Sequence, residues 1–224
     1  MAAVLPIEIY SDVVCPWCFL GKRRLEAALR ARPDLPVALR WRPFELNPGL
    51  GAAGADRREY LASKFPDAAG LAEAHRRLVA LGREAGIDYR FEAIARVPNT
   101  RAAHALVALA GDREGAVVEA LFRAYFEDGR DVGDLDVLAA IAADAGLDPA
   151  DVRGRLAAGS GRTAIEAQER EAARLGVSGV PLFVFAGRWA VSGAQEPATL
   201  VSALDQVAAE LARRGPAVGG PAPP

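Results

Sequence analysis

Cys15 and Cys18 are the only cysteines among 224 residues, and just Pro16 and Trp17 separate them. A pair this close has three ordinary uses: a structural disulfide, part of a metal site, or reversible redox chemistry. One staple cannot stabilise a chain this long, so its stability must come from a core. Zinc usually takes four ligands, and the remaining candidates, His75 and His104, stand far apart with no paired spacing. Both histidines read as helix-face residues, and no metal is expected. Two buried structural cysteines remain the plain alternative to redox chemistry.

Redox chemistry requires a particular local structure. A thiolate attacks a disulfide, whereas a thiol is nearly inert. A helix N-terminus stabilises the anion through its unpaired N–H groups and partial positive charge. Cys15 sits where a helix would start, and Pro16 favours the first helical position. Cys18 follows one turn later, where side chains come within about 5–6 Å, close enough for a disulfide after a small adjustment. Cys15 is expected at the exposed tip, as the nucleophile. Cys18 falls on the apolar face, as the shielded resolving thiol. Trp17 offers a flat surface to a substrate chain, or simply covers the sulfurs.

The elements around the pair follow from periodicity. Leu5, Ile7 and Ile9 alternate as a strand that Ser11-Asp12 ends, and a helix runs from Cys15 to about Ala31 before Pro33. Its inward face is Cys18, Gly21, Leu25, Ala28 and Leu29, which leaves Lys22, Arg23 and Arg24 as a solvated basic run. Val37, Leu39 and Trp41 alternate as a second strand. From 56 to 176 the sequence is rich in Ala, Leu, Glu and Arg, with helices expected over 56–64, 69–85, 99–110, 114–127, 134–145, 149–158 and 162–175 and one weak strand, Tyr89–Phe91. Asp134 and Asp148 are expected N-caps. Leu182–Phe185 and Trp189–Ser192 form a hairpin around Gly187-Arg188, and a last helix starts at Pro197. The Gly/Pro-rich tail, 215–224, is expected to be disordered.

Gly176-Val177-Ser178-Gly179-Val180-Pro181 leads directly into that hairpin. Proline suits a loop entering a strand, in trans or as a cis bond in a tight turn. With Cys-x-x-Cys upstream, the favoured reading is a cis-Pro181 loop packed beside the sulfurs. The order is then β-α-β, a helical block, and β-β-α: an α/β chain with one discontinuous domain, 1–55 and 177–214, and a helical insertion, 56–176.

Composition narrows the function classes. The formal net charge is −2, with no basic excess for nucleic acid and no polybasic run for a membrane surface. The longer apolar runs, Val137–Ala143 and Val180–Ala186, fall far short of a membrane span. The first residues lack a basic n-region, and Glu8 interrupts their apolar run, so no secretory leader and a cytoplasmic location are expected.

Several segments together resemble the DsbA family, in particular its FrnE-like branch of dithiol–disulfide isomerases. They are Asp12-Val13-Val14-Cys15-Pro16-Trp17-Cys18-Phe19-Leu20-Gly21, Pro43-Phe44-Glu45-Leu46-Asn47-Pro48, Pro98-Asn99-Thr100 with Ala103-His104, Ala124-Tyr125-Phe126, Gly179-Val180-Pro181 and Ser192-Gly193-Ala194-Gln195. The likeness spans nearly residues 5–211. It implies a thioredoxin fold with a large all-helical insertion, a nucleophile at Cys15, a partner at Cys18 and a cis-proline at Pro181. It also implies that the Val180 backbone pairs with an incoming peptide. Protein thiols and disulfides or a small thiol are the implied partners, with no bound cofactor and with glutathione or another thiol as redox partner. DsbA itself is exported, and the expected absence of a secretory leader here is a departure from it. Some FrnE-like proteins carry further cysteines near the C-terminus, and this chain has none.

Weaker signals carry two readings each. Asp12 caps the turn before the helix, or moves a proton from Cys18 if buried. Asn99 and His104 line a groove facing the redox centre, or Asn99 or Thr100 simply caps the next helix. Gly49-Leu50-Gly51-Ala52-Ala53-Gly54 matches G-x-G-x-x-G but follows Asn47-Pro48 rather than a strand, which favours a loop. Two functional alternatives accompany thiol–disulfide exchange. One is a glutathione-dependent isomerase or transferase like 2-hydroxychromene-2-carboxylate isomerase or the kappa-class transferases, whose usual lone serine is here an intact Cys-x-x-Cys. The other is a peptide-binding or chaperone module that does not use its sulfurs.

Overall fold

The computed structural model describes residues 4–214, so the tail expectation lies outside the described residues. A four-stranded sheet in the order β2-β1-β5-β6 forms its base. Strand β1 (Leu5–Ser11) pairs in parallel with β2 (Val37–Pro43), Ile7 opposite Leu39. It pairs antiparallel with β5 (Leu182–Phe185), Ile9 opposite Phe183, and β5 pairs back with β6 (Trp189–Ser192). Helix α1 (Pro16–Arg30) makes the crossover between β1 and β2. The hairpin turn centres on Ala186 and Gly187, one residue earlier than expected, with both at positive φ. That pairing of left-handed residues matches the twist of the flanking strands.

The alternation in β1 shows directly in its packing. Leu5, Ile7 and Ile9 join Phe183 and Phe185 on one sheet face. Leu25 and Ala28 of α1 cover that face together with Leu200, Leu204 and Val207 of α9 (Pro197–Arg214).

Seven helices lie between β2 and β5: α2 (Arg57–Lys64), α3 (Ala68–Glu84), α4 (Arg101–Leu109), α5 (Glu114–Phe126), α6 (Leu135–Asp144), α7 (Pro149–Ala157) and α8 (Arg162–Arg174). Asp134 caps α6 and Asp148 caps α7, each accepting two backbone N–H bonds. The block is not wholly helical. A two-residue ladder joins β3 (Ala55–Asp56) to β4 (Arg96–Val97), while the expected strand at Tyr89–Phe91 leads instead into a 3-10 turn, Phe91–Ala93. The layout is nevertheless the thioredoxin fold with a helical insertion.

These helices build a second core, and α1 belongs to it as well. Val13, Val14, Cys15, Cys18, Phe19 and Leu20 pack with Leu106, Leu121, Phe122 and Phe126. Phe19 is fully buried and stacks on Phe122 at 5.0 Å. The first turns of α1 are therefore buried on two sides, where one inward face was expected. Lys22 and Arg24 are buried too, against the expectation of a solvated run. Lys22 Nζ reaches Glu119 of α5 at 2.6 Å, and Arg24 reaches Glu196 and the Ala194 carbonyl at 2.6 Å each. Buried cations persist because they are paired and bonded.

Candidate redox site

The chain leaves β1 at Ser11 and turns through Asp12, Val13 and Val14. The Cys15 N–H donates to the Asp12 carbonyl at 3.0 Å. Cys15 is the N-cap of α1 in extended backbone, and Pro16 occupies the first turn, where its missing N–H costs no helix bond. The Cys18 N–H donates to the Cys15 carbonyl, which sets the two sulfurs one turn apart on one side of the helix. The Tyr89 hydroxyl donates to the Pro16 carbonyl at 2.5 Å and ties this turn to the insertion.

Both cysteines are free thiols and both are buried. Cys18 is enclosed at 1 % exposure, and its thiol is pushed well up, first by burial and then by the neighbouring Cys15 sulfur. Cys15 lies at 4 % exposure, against the expectation of an exposed tip. The loop after β2 and helices α2 and α3 stand across from it, so its sulfur opens onto a cavity of about 400 Å³ instead of free solvent. Trp17 is half-buried and lines that cavity, as does Pro16.

The second segment comes in from the far end of the chain. The Cys15 thiol faces the Val180 carbonyl at 3.8 Å, and the Val180–Pro181 peptide is cis. Gly21 makes this approach possible. A Cβ there would stand 2.9 Å from Pro181 Cγ and 3.2 Å from Phe183 Cζ, so the helix and the Val180–Pro181 bend meet across a position only glycine fits.

Asp12, in the turn that leads into the pair, is fully buried. Its Oδ2 accepts from the Leu46 N–H at 2.7 Å, and its Oδ1 lies 3.5 Å from Nε2 of buried His104. His104 Nε2 makes no hydrogen bond. Asn99 points elsewhere: its Oδ1 accepts from the Arg101 N–H at the start of α4, its Nδ2 donates to the Leu50 carbonyl, and it lines a different cavity from Cys15. The glycine-rich segment Gly49–Gly54 is loop, with Gly54 at positive φ against the Val97 carbonyl.

Sequence reading missed three neighbours. Buried Glu45 pairs with Arg101 at 2.9 Å and holds Glu169 nearby, whose carboxyl is raised by burial and then by the Glu45 charge. Tyr89 holds the Cys15 turn, and Arg57 lines the Cys15 cavity. No local spacing signals any of them, because each meets the site only through the tertiary fold.

A pair of thiols in unequal environments, one capping a helix and facing a cavity, is equipped for exchange with an incoming disulfide. Comparison with known proteins points to the same chemistry. The chain is 36 % identical to a probable DsbA oxidoreductase from Streptomyces coelicolor, with 92 % of this chain and 91 % of that one covered at a TM-score of 0.84. The fold also matches 2-hydroxychromene-2-carboxylate isomerase, at 17 % identity and TM-score 0.70 over 94 % and 100 % of the two chains. A cytosolic disulfide reductase, DsbM from Pseudomonas aeruginosa, solved with glutathione, matches at 19 % identity and TM-score 0.61 over 93 % and 98 %. The DSBA-like thioredoxin domain model covers residues 6–205, nearly the whole described chain, and the protein belongs to that family of thiol–disulfide oxidoreductases.

Proposed function

We propose that this protein reduces or isomerises protein disulfides through Cys15 and Cys18. The Cys15 thiolate attacks one sulfur of a substrate disulfide. A Cys15–substrate bond forms, the substrate S–S bond breaks, and the other substrate sulfur leaves as a thiolate. Cys18 gives up its proton and attacks the Cys15 sulfur, which closes the Cys15–Cys18 disulfide and releases the second substrate thiol. The substrate gains two electrons and the protein loses two. Glutathione or another small thiol restores the dithiol, and no bound cofactor is needed.

The observation that carries this reading is the placement of two unequal thiols at the start of α1 beside the Val180–Pro181 bend. In it, the Val180 backbone pairs with an extended substrate chain while Pro16 and Trp17 form part of its seat. Asp12, whose backbone acts on the Cys18 thiol, serves its proton, and His104 lies against the Asp12 carboxylate. No helix among the described residues is long and apolar enough to cross a membrane, and a reducing, cytosolic setting like that of DsbM fits a reductase. Purified Cys18→Ser should accumulate mixed disulfides with substrate, while Cys15→Ser should not. Equal accumulation by both variants overturns the roles.

The enclosed approach to Cys15 favours a second reading, a glutathione-dependent isomerase or transferase. Glutathione turnover that survives loss of both cysteines would select it over exchange.

A further inference from the structure

The cavity beside Cys15 is apolar along most of its wall, with Leu61, Phe65, Leu78 and Phe91 among its lining, yet no Asp or Glu faces it. Its cations are Arg57 and Lys64. Lys64 is already engaged by Asn47 Oδ1 at 2.8 Å and the Tyr60 hydroxyl at 2.5 Å. Arg57 is different. It is half-buried at the start of α2 and lies over the Phe91 ring at 5.9 Å; its guanidinium makes no close ion pair or hydrogen bond among the described residues, and only the more distant Glu92 carboxylate and Tyr125 hydroxyl act on its charge. His75 stacks on the same ring at 4.3 Å, and burial followed by the Arg57 charge pushes its proton affinity down, so it adds no charge near neutral pH.

A half-buried guanidinium carries five donors in a planar fork suited to a carboxylate. Holding one half-desolvated with no carboxylate in hydrogen-bonding contact is costly. That cost is recovered when an anion enters. About 400 Å³ is enough for a small ring-sized molecule or one large side chain. Cys15 opens onto the same space.

We infer that Arg57 is a specificity residue, and that the Cys15 cavity selects disulfides with a compact apolar body bearing a carboxylate. This rests on the exchange reading above and adds the substrate class. The step is the same exchange: Cys15 takes one sulfur of the substrate, the other sulfur leaves as a thiolate, and closure by Cys18 expels the first as the second thiolate, with two electrons passing to the substrate.

The test uses the reduced full chain and three probes in stopped flow: dithiobis(nitrobenzoate), an aryl disulfide dicarboxylate; dithiodipyridine, a neutral aryl disulfide; and glutathione disulfide, anionic but polar throughout. Each rate is divided by the probe's rate with a free small thiol, which removes intrinsic reactivity. In the wild type the aryl dicarboxylate should lead both other probes. Arg57→Met should lower its normalised rate about tenfold and leave the neutral aryl disulfide within about twofold. Arg57→Lys should keep most of the preference, which separates charge from folding. Arg188→Met, at the distant β5–β6 turn, removes the same net charge and should change neither rate. The inference is overturned if Arg57→Met leaves the ratio unchanged, if Arg188→Met lowers it equally, or if glutathione disulfide leads. The exchange reading fails separately: release of one aryl thiolate per chain, where closure by Cys18 requires two, defeats it whatever the Arg57 ratio shows.

Discussion

Replacing Cys15 by Ser leaves Cys18 as the only thiol and turns its burial into a measurable pH dependence. Burial is the main reason the Cys18 thiol is raised, and that cause survives the loss of Cys15. Below about pH 8.5 the thiol holds its proton in both the folded and unfolded chain, so it adds no slope to stability. Above that the unfolded chain releases the proton while the folded chain keeps it. Protonation then favours the native state less with each pH unit, so stability is full at low pH and falls as pH rises. One group contributes about 1.4 kcal/mol per unit, or about 2 kcal/mol between pH 8.5 and 10. Tyr89 and Tyr125 are raised by burial in the same sense, so the reference must share them. The Cys15→Ser/Cys18→Ala chain does. Urea unfolding of both variants, under reductant and across this range, should show the single variant losing about 2 kcal/mol more. Parallel curves would mean that the folded thiol ionises as freely as an unfolded one, and the picture of an enclosed resolving sulfur would be wrong.

Three further outcomes follow from the packing. Gly21→Ala forces a methyl against Pro181 at 2.9 Å and should cost about 1–3 kcal/mol, read by chemical denaturation, while slowing mixed-disulfide formation by Cys18→Ser. Phe19→Ala empties a fully buried site stacked on Phe122 and should cost about 3–5 kcal/mol in the same assay. Tyr89→Phe removes the bond to the Pro16 carbonyl and should cost about 1 kcal/mol, with faster amide exchange at Trp17 and Cys18 as its local signature.

Much of this arrangement is written in local pattern. Alternation at Leu5, Ile7 and Ile9 marks β1, and the bounds of β5 and β6 coincide with the apolar run and its return. The Asp caps and periodicity of the middle segment place its helices to within about two residues at each end. What was hidden depends on partners far along the chain. Lys22 and Arg24 look like solvent-facing charges until Glu119 and Glu196 arrive to pair with them. The β3–β4 ladder is two residues long on each side, too short for any alternation to register. Cys15 reads as exposed because helix-start geometry is local, whereas its cover comes from the loop at Leu46 and from Leu61 and Leu78. Arg57 carries no motif at all; only the fold brings it to the wall of the Cys15 cavity.

The double burial of the first turns of α1 bears on any attempt to shorten this protein. A minimal version without the helices between β2 and β5 would keep the sheet and its lower core intact. It would also strip Val13, Val14, Phe19 and Leu20 of their neighbours. Each such side chain is worth about 1.5–3 kcal/mol in burial, and together they would form an oily collar around both sulfurs. A reactive thiol ringed by bare hydrocarbon invites self-association and intermolecular cross-linking. The helical arm is therefore the solubility shield of the redox turn as well as a wall of its cavity.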